Sequence, residues 1–63
     1  MKSVYWIFHS MIMNMDVETI KIIKDGEVLE HCTLRYSYIM DKYGSYRVKS
    51  MFYAYTELTL EVV

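Results

Sequence analysis

His31 and Cys32 are neighbours whose types could do chemistry, because an imidazole beside a thiol is the smallest set for a base-activated nucleophile. Adjacent residues on a strand point to opposite faces, and on a helix they diverge by about 100°. The pair therefore does not engage in either conformation. Cys32 is the only cysteine, which rules out an internal disulfide. Together with His9 and His31 it falls short of a closed four-ligand metal site. Asp16 and Glu18 form a carboxylate pair on one strand face, a pattern that a solvated turn entry explains as well. The sequence has no phosphate-binding glycine loop, zinc spacing or nucleophile elbow. Catalysis needs a cleft with several positioned groups, and a chain of 63 residues rarely encloses one. We expect a non-enzymatic protein with no catalytic residue, no metal and no cofactor.

Binding chemistry is better represented. Basic and aromatic residues interleave between Arg35 and Tyr53, and residues 33–49 carry a charge of +3 against -4 for the rest. Exposed rings flanked by cations stack and hold single-stranded nucleic acid on small sheets. Arg35, Lys42, Tyr43, Tyr46, Arg47 and Lys49 are the candidate contacts on that reading. Against it, the isoelectric point is 6.0, far below the value of about 9 that marks an electrostatic footprint for nucleic acid. The second candidate surface is aromatic and thioether-rich. Tyrosine pairs an apolar ring with a polar tip and suits interfaces, and methionine adapts to irregular surfaces. Tyr5, Met11, Met13, Met15, Tyr36, Tyr38, Tyr53 and Tyr55 are the candidate protein interface.

Several elements must position these residues. Lys24-Asp25-Gly26-Glu27 is the clearest turn, since Asp-Gly between apolar runs favours a two-residue hairpin. It opposes Lys24 to Glu27 and Lys21 to Glu30. Residues 27–43 have two readings. As a strand, Val28, Cys32, Leu34, Tyr36, Tyr38 and Met40 share a face on which Glu30 is the exception. As a helix, Leu29, Cys32, Tyr36, Ile39 and Tyr43 form one stripe that Gly44 stops. Beyond Gly44, apolar residues alternate from Tyr46 to Val62. That run is too long for so small a domain, so it must bend near Tyr55-Thr56-Glu57. With a loop at 41–45, Tyr38 meets Val48, Leu34 meets Phe52 and Cys32 meets Ala54. The segment Val4–Met15 is apolar on both strand faces, which suggests a central strand covered twice.

The expected fold is mainly antiparallel β, a small single-sheet or barrel-like meander of four to five strands. The alternative is α+β, with one helix at about 27–43 packed on the sheet. Either forms one compact domain, 1–63, with a core so small that self-association as a homo-oligomer or a bound partner is an expected source of stability. Val4–Met15 is too short for a membrane span and has the wrong flanks for a signal peptide, so the expected setting is cytoplasmic and without a membrane partner. The chain begins at Met1 and has the look of a complete short gene product. Residues with AT-rich codons number 27, against five with GC-rich codons. That bias is common in bacteriophages and mobile elements, and also in low-GC bacteria and some eukaryotes. The functional expectation is a small protein-binding module, in the phage case an inhibitor acting in the host cytoplasm by blocking a host enzyme, defence factor or toxin. The alternative is a small nucleic-acid-binding sheet that uses segment 35–53.

Overall fold

In the computed structural model, which describes the backbone of all 63 residues and every side chain except that of Met13, seven short elements follow one another. They are α1 (Val4–Ser10), a 3-10 turn (Ile12–Asn14), β1 (Thr19–Lys24), β2 (Glu27–Thr33), α2 (Tyr36–Tyr43), β3 (Val48–Ala54) and β4 (Glu57–Val62). The strands form one sheet in the order β2-β1-β4-β3. Two hairpins, β1–β2 and β3–β4, provide the antiparallel pairs, and the inner strands β1 and β4 run parallel. Ile20 and Ile22 of β1 and Leu58, Leu60 and Val62 of β4 bury one sheet face beneath Val4, Ile7 and Phe8 of α1 and Ile39 and Tyr43 of α2. The chain is thus an α+β sandwich of two layers with one open sheet face.

Both hairpin turns use left-handed backbone. Asp25 and Gly26 have φ of 52° and 79°, the twist-matched geometry expected of Asp-Gly. Tyr55 and Thr56, at 53° and 60°, do the same without glycine, at the place where the long alternating run had to bend. Thr56 is pinned there: its carbonyl accepts from Glu18 N at 2.8 Å and Thr19 N at 3.3 Å, and its hydroxyl donates to the Tyr55 carbonyl at 2.6 Å.

Several expectations are corrected in detail. The segment expected as a doubly covered strand is α1 and the 3-10 turn. Val4, Ile7, Phe8, Met11 and Ile12 recur at spacings of three and four, so their apparent two-sidedness is one helical stripe sampled at the wrong period. Ser3 caps the helix, its Oγ accepting from Trp6 N at 3.1 Å. In residues 27–43 each reading holds for part. The chain is strand to Thr33 and helix from Tyr36, so Leu29 and Cys32 pack from β2 while Ile39 and Tyr43 pack from α2. Because α2 intervenes, the pairs Tyr38–Val48, Leu34–Phe52 and Cys32–Ala54 do not form, and β3 turns back on β4 instead. The sheet is therefore mixed rather than wholly antiparallel.

Within β1–β2, Lys24 does oppose Glu27, but a bulge between Ile22 and Ile23 shifts the register. Lys21 then opposes His31, and Glu30 opposes Ile22 on the helix-covered face. Gly44 ends α2 as expected. Its N–H reaches the Met40 carbonyl at 3.0 Å, and a Cβ there would collide with that oxygen.

Candidate functional site

The two helices meet along a groove, and the chain termini of each explain how. Tyr5 N donates to Gly44 O at 3.0 Å and Val4 N to Tyr46 O at 2.9 Å, so the loop that ends α2 satisfies the free N–H groups that begin α1. Phe8 is buried and meets the edge of the Tyr36 ring at 5.5 Å between centroids. Tyr5 lies against His9 one turn later, at 4.3 Å. The resulting cleft of about 700 Å³ is lined by Tyr5, Phe8, His9, Tyr36, Ser37, Met40 and Asp41. Phe8 and Met40 supply an apolar floor, Tyr5 and Tyr36 aromatic walls, and His9, Ser37 and Asp41 a polar rim. Tyr5 remains 56% exposed and Tyr36 47% exposed, so both rings are available to a visitor.

A polar cluster ties α2 to the sheet behind this groove. Tyr43 Oη donates to Glu30 Oε1 at 2.8 Å and Tyr38 Oη at 3.0 Å, with Lys42 Nζ 3.6 Å away. The Tyr43 hydrogen bond, followed by that of Tyr38 and the Lys42 charge, holds the Glu30 carboxyl below its ordinary value against the opposing effect of burial. Burial and the neighbouring Glu30 push the Tyr43 phenol and the Cys32 thiol up. Cys32 is thus kept as a thiol, on the opposite sheet face from His31. His31 Nε2 instead lies 2.5 Å from Glu57 Oε1 on the open face, and that hydrogen bond lowers the Glu57 carboxyl. Beside this pair Thr19, Lys21, Phe52, Ala54, Tyr55, Glu57 and Thr59 border a smaller basin of about 540 Å³. Among the described residues no three His, Cys, Asp or Glu side chains converge as a metal site.

Of the expected interface residues, the fold brings Tyr5 and Tyr36 together at the groove. Tyr38 is half-buried over Glu30, and Tyr53 Oη donates to the Asp16 carbonyl at 2.6 Å. Met11 and Met15 fill the core margin, the Met13 side chain lies outside the described residues, and Tyr55 stands 98% exposed at the β3–β4 turn. The expected nucleic-acid contacts are divided between the two sides of the sheet. Arg35 precedes α2 as its N-cap and Lys42 sits in its last turn, and Arg35 lies 4.8 Å from the Tyr38 ring centroid. Arg47 and Lys49 sit at β3, where Arg47 donates to the Met1 carbonyl at 3.1 Å and Lys49 lies 3.7 Å from Glu61. Tyr43 is buried, and Tyr46 meets its edge at 5.5 Å. No continuous basic and aromatic platform results among these residues. Phe8, His9, Ser37, Met40 and Asp41 belong to the groove but were not singled out in the sequence. The stripe Val4, Ile7, Phe8, Met11, Ile12 was the signal that would have placed α1 there.

No protein-family model, curated protein or solved structure matches the chain. Among the described residues no helix is long and apolar enough to cross a membrane.

Proposed function

We propose that the chain is a non-enzymatic binding module that seats a short segment of another protein in the α1–α2 groove. It acts by covering that partner's surface. The observation that carries this reading is the pairing of Tyr5 and Tyr36, exposed on two different helices, across the apolar floor of Phe8 and Met40. Aromatic rings around a concave apolar floor are the anchors of protein interfaces, and a polar rim gives direction to what enters. The rim sets the chemistry of the guest: an apolar or aromatic side chain for the floor, with a cation placed toward Asp41.

Selection from a displayed library of random peptides tests this. The expected winners combine an apolar anchor with a nearby Lys or Arg, perturb the Tyr5 and Tyr36 ring resonances, and lose binding roughly thirtyfold or more to Tyr36→Ala, the scale of an interface hot spot. Binders indifferent to both Tyr5→Ala and Tyr36→Ala would place the functional surface elsewhere.

A further inference from the structure

Strand β3 ends the sheet on one side, and its outer edge is only half covered. Val48 N donates to Lys2 O at 2.7 Å and Ser3 bridges to Arg47, so the N-terminal residues occupy the first part of that edge. Beyond them Ser50–Ala54 carries neither charge nor proline. Met51, Phe52 and Tyr53 are 36%, 68% and 39% exposed there, followed by Tyr55 at the turn. Free edges are normally blunted by charge, proline or a bulge. The opposite edge, β2, has Glu27, His31 and a bulge. The irregularity in β3 and its lysine, Lys49, fall between Val48 and Ser50, outside the exposed stretch.

The direction of the backbone groups follows from the turn. A two-residue hairpin makes Ala54↔Glu57 the closing hydrogen-bonded pair, and pairs alternate along an antiparallel ladder. Phe52 and Ser50 therefore bond to β4, while Met51 and Tyr53 present N–H and C=O to the free edge. We propose that this edge pairs antiparallel with β3 of a second copy of the chain, about a twofold axis at Phe52, joining two sheets of four strands into one of eight.

In that register Phe52 faces the partner's Phe52 as a non-hydrogen-bonded pair, the type in which side chains approach most closely. Met51 and the partner's Tyr53 exchange both backbone hydrogen bonds, and symmetry repeats the exchange. Ser50 faces the partner's Ala54 on either side of the aromatic pair, and these small side chains leave the rings room. No charge meets a like charge between Ser50 and Ala54, which makes the stretch complementary to itself. Met51, Phe52 and Tyr53 leave on the order of 300 Å² exposed per chain, so a symmetric pair covers at most about 600 Å² of side chain, below the ~1,000 Å² of a permanent interface, and the dimer is a weak, concentration-dependent one. The N-terminal cover at Val48 stops the pairing from sliding further and fixes the register.

Sedimentation of the full chain from micromolar to millimolar concentration tests the proposal. The expected result is a monomer–dimer equilibrium that Phe52→Lys weakens at least about tenfold, by opposing two cations across the axis, with an unchanged circular dichroism spectrum. In a Cys32→Ser background, mild oxidation is expected to cross-link Phe52→Cys, which meets its own copy on the axis, and not Ser50→Cys, which meets Ala54. The cross-link reads the register even if the lysine variant unfolds. A chain that stays monomeric to millimolar concentration overturns the proposal and leaves the edge to a foreign strand. A dimer untouched by Phe52→Lys, or one in which Ser50→Cys cross-links as readily as Phe52→Cys, overturns it as well.

Discussion

Glu30 shows how one extra residue in a strand changes what a side chain does. Without the bulge in the first hairpin it would face Lys21 on the open side. With it, Val28 stays opposite Ile23 while Glu30 turns toward α2, where it accepts from Tyr43 and Tyr38. The carboxylate is thereby stabilised in its charged form, and its folded pKa lies below the ordinary 4.5. Above that value both folded and unfolded chains are ionised and the contribution to stability is fully present. As pH falls through it, the unfolded chain takes up a proton first, and the contribution is lost as pH passes the folded pKa. Glu57, lowered chiefly by the His31 hydrogen bond, acts in the same direction. Melting temperature is therefore expected to drop on acidification from about pH 6 to about pH 3, and the drop is expected to be shallower in Glu30→Gln. An unchanged slope in that variant would show that Glu30 is not a proton-linked group. The sequence marks Glu30 as the exception on an apolar strand face and as a cross-strand partner of Lys21. Its partners were out of reach because the bulge that turns it carries no glycine or other local signature.

At the scale of elements, the two hairpin turns share a geometry and differ in cost. Asp25-Gly26 is legible because its residue types favour positive φ, whereas Tyr55-Thr56 adopts the same backbone with an aromatic and a β-branched residue. The backbone strain at the second turn is offset by the hydrogen bonds that Thr56 makes to the entry of β1. Replacing the pair by Asn-Gly (Tyr55→Asn with Thr56→Gly) is expected to stabilise the chain by about 1 kcal/mol. The measurement is a higher urea midpoint at unchanged slope; a lower midpoint would mean that the Thr56 side-chain contacts outweigh the strain. Chain length alone requires the bend, since the alternating run is too long to stay straight in so small a domain. The helices were harder for a different reason. Tyr36, Ser37, Tyr38 and Ile39 are indifferent helix formers, and α1 has only seven residues, too few to be stable by propensity. Docking decides both: Ile39 and Tyr43 enter the core from α2, and α1 is held by the Gly44 and Tyr46 carbonyls. Such support comes from residues about forty positions away in sequence, as with Tyr5 and Gly44, and no window of local sequence contains it. This is also why Tyr5 and Tyr36 could be recognised singly as interface tyrosines while the groove between them could not.

For the whole molecule, the order β2-β1-β4-β3 places the two strands with fully buried inward faces in the middle and sends each hairpin's outer strand to an edge. Ile20, Ile22, Leu58 and Leu60 are fully buried along the parallel β1–β4 contact, which holds the two hairpins together. Opening that contact exposes most of the core, so it is expected to coincide with global unfolding, while α1 opens at lower free energy. A twofold axis at Phe52 stands perpendicular to the sheet, and both helical layers of a β3-paired dimer then lie on the same side. Two α1–α2 grooves would face one direction, an arrangement that raises the avidity for a partner presenting two segments. Amide hydrogen exchange reads these levels together. Ile20, Ile22, Leu58 and Leu60 amides are expected to exchange slowest at every concentration, and those of α1 faster. Met51 and Tyr53 amides, whose N–H groups point to the free edge, are expected to exchange fast in dilute solution and slowly in concentrated solution. Protection of Met51 and Tyr53 that does not change with concentration would mean that this edge is closed within a single chain.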